Sequence, residues 1–158
     1  MNTDNPFETF KQVAFRLEAL PQYIVEGEKG AFYEFKKSGE LSNRLNSEWA
    51  KLVKENVTSG KSMKRLRLLS DQLTAYEQFE LLSYPGIRSG EEIRVCARSS
   101  HKNNYLYDFW FFDNEYITQM NYDSDGVYID NDTRKATHEE KRALSYWLCV
   151  FEKSEILE

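Results

Sequence analysis

One stretch constrains the fold more than any other. From Glu91 the chain reads EEIRVCARSS and, after HKNN, YLYDFWFFDNEYITQMNYDSDGVYIDND to Asp132. Tyr107 to Phe112 is apolar on both faces except at Asp108, the pattern of a central strand covered on both sides. Asp113-Asn114 is a compact turn signal that returns the chain through Tyr116 to Tyr122. Asp123-Ser124-Asp125-Gly126 turns it again into Val127 to Asp130. This run predicts the central part of an antiparallel sheet.

The flanking segments supply helices and further strands. Asn5-Pro6-Phe7-Glu8 reads as a helix start, with Phe7, Phe10, Val13 and Ala14 at helical spacing. In Phe15 to Leu20, apolar and charged residues alternate as in a half-buried strand, and Pro21 ends it. A short strand is predicted over Tyr23 to Val25, and a short helix around Ala31, Phe32 and Phe35, stopped at Ser38-Gly39. Asn46 or Ser47 can cap a helix whose apolar face is Trp49, Leu52, Val53 and Val57, with Gly60 as its stop. KSMKRLRLLS then reads as a strand with Leu66 and Leu68 on one face and Arg65 and Arg67 on the other. Thr74/Glu77 and Thr137/Glu140 have capping-box spacing. The first opens a helix that must end before Pro85. The second opens a C-terminal helix with Leu144, Trp147, Leu148 and Phe151 on one stripe. Ile93, Val95 and Ala97 alternate with Glu92, Arg94 and Arg98 in one more strand. The whole reading is an α+β fold: a single domain over residues 1–158, one mainly antiparallel sheet of about five to six strands, helices packed on it, and a C-terminal helix.

Composition narrows the function. Ten Tyr, ten Phe and three Trp favour a packed core over disorder. A net charge of −5 argues against wrapping duplex DNA, where many phosphates need neutralising. Cys96 and Cys149 have no metal-like or redox spacing and read as reduced thiols, which suggests a cytoplasmic protein. The N-terminus does not read as a secretion signal, and no apolar run reaches the roughly 20 residues that span a bilayer. No cofactor motif is present. Ser59-Gly60-Lys61-Ser62 mimics the tail of a phosphate-binding loop but lacks the preceding glycine and runs from helix to strand. Asp123-Ser124-Asp125-Gly126 opens like a calcium loop, yet Arg134 stands where the bidentate Glu belongs, so no metal site is expected.

Two constellations could carry chemistry. If the apolar sides of three strands point the same way, the other side collects Arg16, Arg65, Arg67, Arg94 and Arg98 against Glu18 and Glu92. Forked guanidinium donors suit phosphate or carboxylate. The plainer alternative is a solvated face with Arg and Glu paired across strands. On the functional reading, reversing the charge of Arg65 and Arg67 abolishes binding and leaves the fold intact. The second constellation is Glu80, at the edge of an apolar helix stripe, and Asp108, which shares a strand face with Leu106, Trp110 and Phe112. Carboxylates in apolar surroundings must pair or titrate high, and two of them can form an acid and base pair. The plainer alternative is that each pairs with a sheet arginine.

The segments Phe15-Arg16-Leu17-Glu18, Arg65-Leu66-Arg67 with Ser70, Tyr76 with Phe79-Glu80, Gly90-Glu91-Glu92-Ile93-Arg94 and Asp108-Phe109-Trp110-Phe111-Phe112-Asp113, in this order, resemble a bacterial domain family of unknown function. The resemblance covers nearly the whole chain. It implies genes placed beside helix-turn-helix regulators, and so a regulatory role, with no catalytic residues to carry over. The resulting expectation is a non-enzymatic binding module using Arg16, Arg65, Arg67, Arg94, Tyr76 and Trp110. Its partner would be a protein, such as a helix-turn-helix regulator, or an anionic small ligand. The alternative is a small hydrolase or transferase acting on a phosphorylated small molecule or nucleotide through Glu80 and Asp108. A third reading is an acidic antitoxin-like protein that blocks a basic toxin.

Overall fold

The computed structural model describes residues 3–41, 47–101 and 107–158. The proposed cap at Asn46, the approach through Asn103 to Tyr105, and Leu106 lie outside the described residues.

Among the described residues, seven strands form one sheet: β1 (Val13–Glu18), β2 (Ser62–Leu69), β3 (Glu92–Ala97), β4 (Phe109–Phe112), β5 (Tyr116–Tyr122), β6 (Tyr128–Lys135) and β7 (Glu155–Ile156), in the order β6-β5-β4-β1-β2-β3-β7. The strand count exceeds the expected five to six. β4, β5 and β6 form the antiparallel meander that the two turn signals predict, and β4 lies antiparallel on β1. The sheet is mainly antiparallel, as expected, but the run from Glu91 to Asp132 does not form its centre: β6 is an edge strand, β1 is the middle strand, and β1, β2 and β3 run parallel. Their connections contain helices long enough to carry the chain back to the starting edge, as a parallel pair requires. α2 (Lys29–Ser38) and α3 (Ser47–Thr58) lie between β1 and β2, and α4 (Ala75–Ser83) lies between β2 and β3.

Both faces of the sheet are covered. On one, Leu144, Trp147 and Phe151 of α5 (His138–Lys153) pack on Phe15, Leu17, Leu66, Leu68, Phe109 and Phe111. On the other, α3 brings Val53, Trp49, Leu52 and Val57 onto Ala14, Met63, Trp110 and Phe112, beside Phe7 and Phe10. α4 brings Tyr76 and Phe79 against Tyr23, and α2 adds Phe32 and Phe35 outside them. Both capping boxes form, at Thr74 with Glu77 and at Thr137 with Glu140. They fix where α4 and α5 begin relative to the sheet.

Two local predictions change. The N-terminal helix α1 (Pro6–Thr9) is a single turn, and Val13 opens β1 instead of continuing a helical stripe. The Asp113 carboxylate explains the early stop: it accepts from the backbone N–H groups of Lys11, Gln12 and Val13, which holds this segment extended. The strand predicted over Tyr23 to Val25 is reduced to one bridge, Ile24 to Val127.

Candidate functional site

The arginines of β1 and β2 share a sheet face because of their register. Arg16 lies opposite Arg65, and Glu18 opposite Arg67. Trp110 of β4 lies opposite Arg16 on the other side. The predicted co-facing of Arg16, Arg65, Arg67 and Glu18 is therefore seen.

β3 departs from the prediction. Its Ile93 and Val95 align with Arg65 and Arg67, so its apolar residues fall on the arginine side. Arg94 aligns with Leu66 and points to the α5 side, where it donates to the carbonyls of Phe151, Glu152 and Ser154 at the end of that helix. Glu92 accepts from Arg94. Arg98 falls beyond β3 and donates to the carbonyl of Ala19 and the hydroxyl of Ser70. Arg94 therefore holds the end of a helix, and Arg94, Arg98 and Glu92 are absent from the cluster.

This face is not a solvated surface either. Arg16, Arg65 and Arg67 are 4%, 9% and 0% exposed. A buried charge needs partners, and the three guanidiniums meet carboxylates supplied from several elements. Arg16 Nη2 lies 3.0 Å from Asp108 Oδ2. Asp108 also accepts from the Ala19 N–H at 3.0 Å and from the Tyr23 hydroxyl. Arg65 donates to Glu18 at 3.0 Å and to Glu91 at 2.7 Å. The Trp49 indole N–H holds the other Glu91 oxygen at 3.0 Å. Arg67 Nε lies 2.6 Å from Glu80, its guanidinium carbon lies 5.3 Å from the Tyr23 ring centroid, and its Nη2 is buried with no hydrogen-bond partner among the described residues. Charge reversal at Arg65 or Arg67 would therefore disrupt the interior, contrary to the surface reading of these residues.

Over this cluster lies an open cavity of about 240 Å³. Arg16, Glu18 and Arg65 contribute to its floor, and Glu28 and Glu80 add two more carboxylates. Tyr23, Trp49, Tyr76, Tyr84, Trp110 and Tyr122 are the aromatic residues that line it. The structure thus brings Arg16, Arg65, Tyr76, Trp110 and Glu80 to one cavity. Arg67 sits behind it, Asp108 is sealed beneath Arg16, and Arg94 is on the other face. A second cavity of about 350 Å³ shares Tyr23, Val25, Glu28 and Tyr76 with the first.

The site separates its carboxylates electrostatically. Burial alone would push Glu18 up, but Arg65, Arg16 and Arg67 together hold it down to about 2. Glu80 is pushed up to about 7, by burial first and then by the Glu18 charge, against the opposing pull of Arg67 and Arg65. Burial also raises Glu28, which accepts from the Tyr76 hydroxyl at 3.0 Å. The tyrosines Tyr23, Tyr76 and Tyr84 are held above their usual range by burial and the surrounding carboxylates.

Several lining residues escaped the sequence reading. The helical stripe marks Trp49 only as core, although its indole N–H holds Glu91 and its ring faces the Arg65 guanidinium. Tyr84 carried a signal in hindsight: it immediately precedes the helix-stopping Pro85 and donates to Glu18 at 2.8 Å. Glu91 stands just before β3 with the same parity as Ile93, and that alternation turns it inward to Arg65.

No curated protein matches the chain. Residues 1–157 match the family model described as a domain of unknown function, DUF6879, and the chain belongs to that family.

Proposed function

We propose that this chain is a binding module whose ligand enters the cavity over the arginine-bearing sheet face. One observation carries the reading: a buried ion cluster and six aromatic residues converge on a single open cavity. Clefts that combine apolar walls with a few fixed polar groups are the usual form of small-ligand sites. The guanidinium groups act here chiefly as scaffold. They hold the carboxylates and rings in place, and most of their donors are already spent inside the chain. In the regulatory setting that the resemblance implies, the module works in the cytoplasm beside a DNA-binding regulator and passes ligand occupancy to that partner.

A thermal-shift screen of small charged and aromatic compounds tests this, because binding to the native state alone raises the unfolding temperature. Val25 lines both cavities and is 44% exposed, so Val25→Trp narrows the entrance with little cost to the core. The expected result is at least one compound that stabilises the natural chain and fails to stabilise Val25→Trp. Stabilisation that is indifferent to Val25→Trp would move the site elsewhere.

The catalytic alternative draws support from one feature. Glu80 and Glu18 share the cavity with their acidities pushed apart, the arrangement that separates an acid from a base. Glu80 is suited to donate a proton near neutral pH. Glu18, held down to about 2, is a poor base. Asp108 does not line the cavity. The pairing of Glu80 with Asp108 therefore loses support, and binding remains the better reading.

A further inference from the structure

The sign of the ligand's charge can be read from the groups around the cavity. Resting on the binding reading above, we propose that the cavity receives an organic cation, an alkylammonium or guanidinium group, held by the carboxylates of Glu28 and Glu80 beside the rings of Tyr76 and Tyr122.

The charge balance points this way. Arg16, Arg65 and Arg67 face Glu18, Glu28, Glu80, Glu91 and Asp108, so carboxylates outnumber guanidiniums five to three. Arg16 directs its Nη donors to Asp108, the Tyr122 hydroxyl and the carbonyls of Leu17 and Phe109. Arg65 directs Nε and one Nη to Glu91 and Glu18. The carboxylates are less well served. Glu18 Oε1 takes both Arg65 and Tyr84, and Glu80 Oε1 takes Arg67. Among the described residues, no hydrogen bond reaches the second oxygen of either. Glu28 has the Tyr76 hydroxyl and no ion pair among the described residues. Glu28 and Glu80 are also the two carboxylates of the site whose net shift is upward: burial raises Glu28, and burial with the Glu18 charge outweighs the pull of Arg67 on Glu80.

The rings agree with the charges. The site already seats a guanidinium against aromatic faces: the Arg65 carbon lies 5.6 Å from the Trp49 centroid, 5.3 Å from Tyr84 and 5.6 Å from Trp110. Cations are drawn to such faces, more strongly when desolvated. Tyr76 and Tyr122 line the same cavity with no cation over either ring among the described residues. Glu28 and Tyr76 stand where the two cavities meet, so a cation held there can extend an alkyl tail into the larger one. The same head group occurs on a free amine or guanidine and on a Lys or Arg side chain of a protein partner.

Titration calorimetry on the full chain at pH 8 separates these cases. The probes are agmatine, the blocked tripeptide Gly-Arg-Gly, adenosine monophosphate and inorganic phosphate, against the natural chain, Glu28→Gln, Glu80→Gln and Val25→Trp, with folding of each variant checked by circular dichroism. The expected result is saturable agmatine binding that Val25→Trp blocks and Glu28→Gln weakens by about tenfold, the size of one lost charge-assisted bond. Glu80 is faced by Glu18 of β1, by Arg65 and Arg67 of β2, and by Tyr76 and Tyr84 beside it. Glu28 is faced by Tyr76, Glu18 and Arg65. A cation displaces a proton from Glu80, which is pushed up to about 7, so agmatine affinity should fall by about tenfold between pH 8 and pH 6. Tighter binding of the tripeptide than of agmatine assigns the cation to a protein partner, and the reverse order assigns it to a free amine. Phosphate or adenosine monophosphate bound in a Val25→Trp-sensitive way, with agmatine silent, overturns the cation inference and keeps the binding module. Silence from every probe overturns both.

Discussion

Removing either partner of the Arg67–Glu80 pair strands the other in the interior, but the two losses are unequal. Arg67 cannot shed its proton, so Glu80→Leu leaves an uncompensated buried cation and should cost about 3–5 kcal/mol. Glu80 already titrates near 7, so after Arg67→Met it can take up a proton and become neutral. Arg67→Met should therefore cost less, and the double variant should recover much of the loss from Glu80→Leu. Urea unfolding of the three variants measures this, and additive losses would contradict the pairing. The same carboxylates set a pH profile. Glu18 is lower in the folded chain than its usual 4.5, so it stabilises above that value, and the benefit fades as pH falls toward 2. Glu80 is higher in the folded chain, so its effect has the opposite sign: stability is greatest below 4.5 and is lost as pH rises through 7. From pH 5 to 8 the natural chain should lose on the order of 2–3 kcal/mol more than Glu80→Gln. Equal profiles for the two proteins over that window would remove the raised Glu80. At this scale the residue types were legible in the sequence, because alternation showed that Arg16, Arg65 and Arg67 stand opposite the apolar side. Their burial was not, because it depends on carboxylates brought in from Glu80, Glu91 and Asp108, far away along the chain.

Elements set where those carboxylates arrive. The turn at Gly86 is fitted to Glu91: a Cβ there would collide with Glu91 Oε2, an oxygen held by the Trp49 indole. The Glu91 N–H also donates to the Gly86 carbonyl at 2.9 Å. Gly86→Ala should push Glu91 away from Arg65 and cost about 1–3 kcal/mol by overpacking, although the backbone there is ordinary. An unchanged unfolding midpoint would mean that Glu91 can move aside freely. Thr74→Ala removes the cap of α4, the helix that carries Tyr76 and Glu80 into the site, and should cost about 1 kcal/mol in thermal unfolding. Both capping boxes and the meander turns could be read locally, since each is decided within a few residues. The facing of β3 could not. Ile93 and Val95 look like a core side wherever they point, and only the parallel register with β2 puts them beside Arg65 and Arg67.

At the scale of the molecule, layering decides what the sheet can do. A half-covered antiparallel sheet would expose its arginines to water. The helical crossovers through α3 and α4 instead roof that face, and α5 roofs the other. The sequence carried the signals for every one of those helices, but not the side on which each lands, because amphipathic stripes on α3, α4 and α5 fit either face equally well. The two roofs leave a convenient internal reporter. Trp49 and Trp110 line the cavity, whereas Trp147 is buried under α5 on the far side of the sheet. The most direct test of the account is a ¹⁹F spectrum of the fluorotryptophan-labelled chain, titrated with the compounds that raise its unfolding temperature. The Trp49 and Trp110 signals should shift together and saturate while Trp147 stays in place. A shift of Trp147 with the other two unmoved would contradict it.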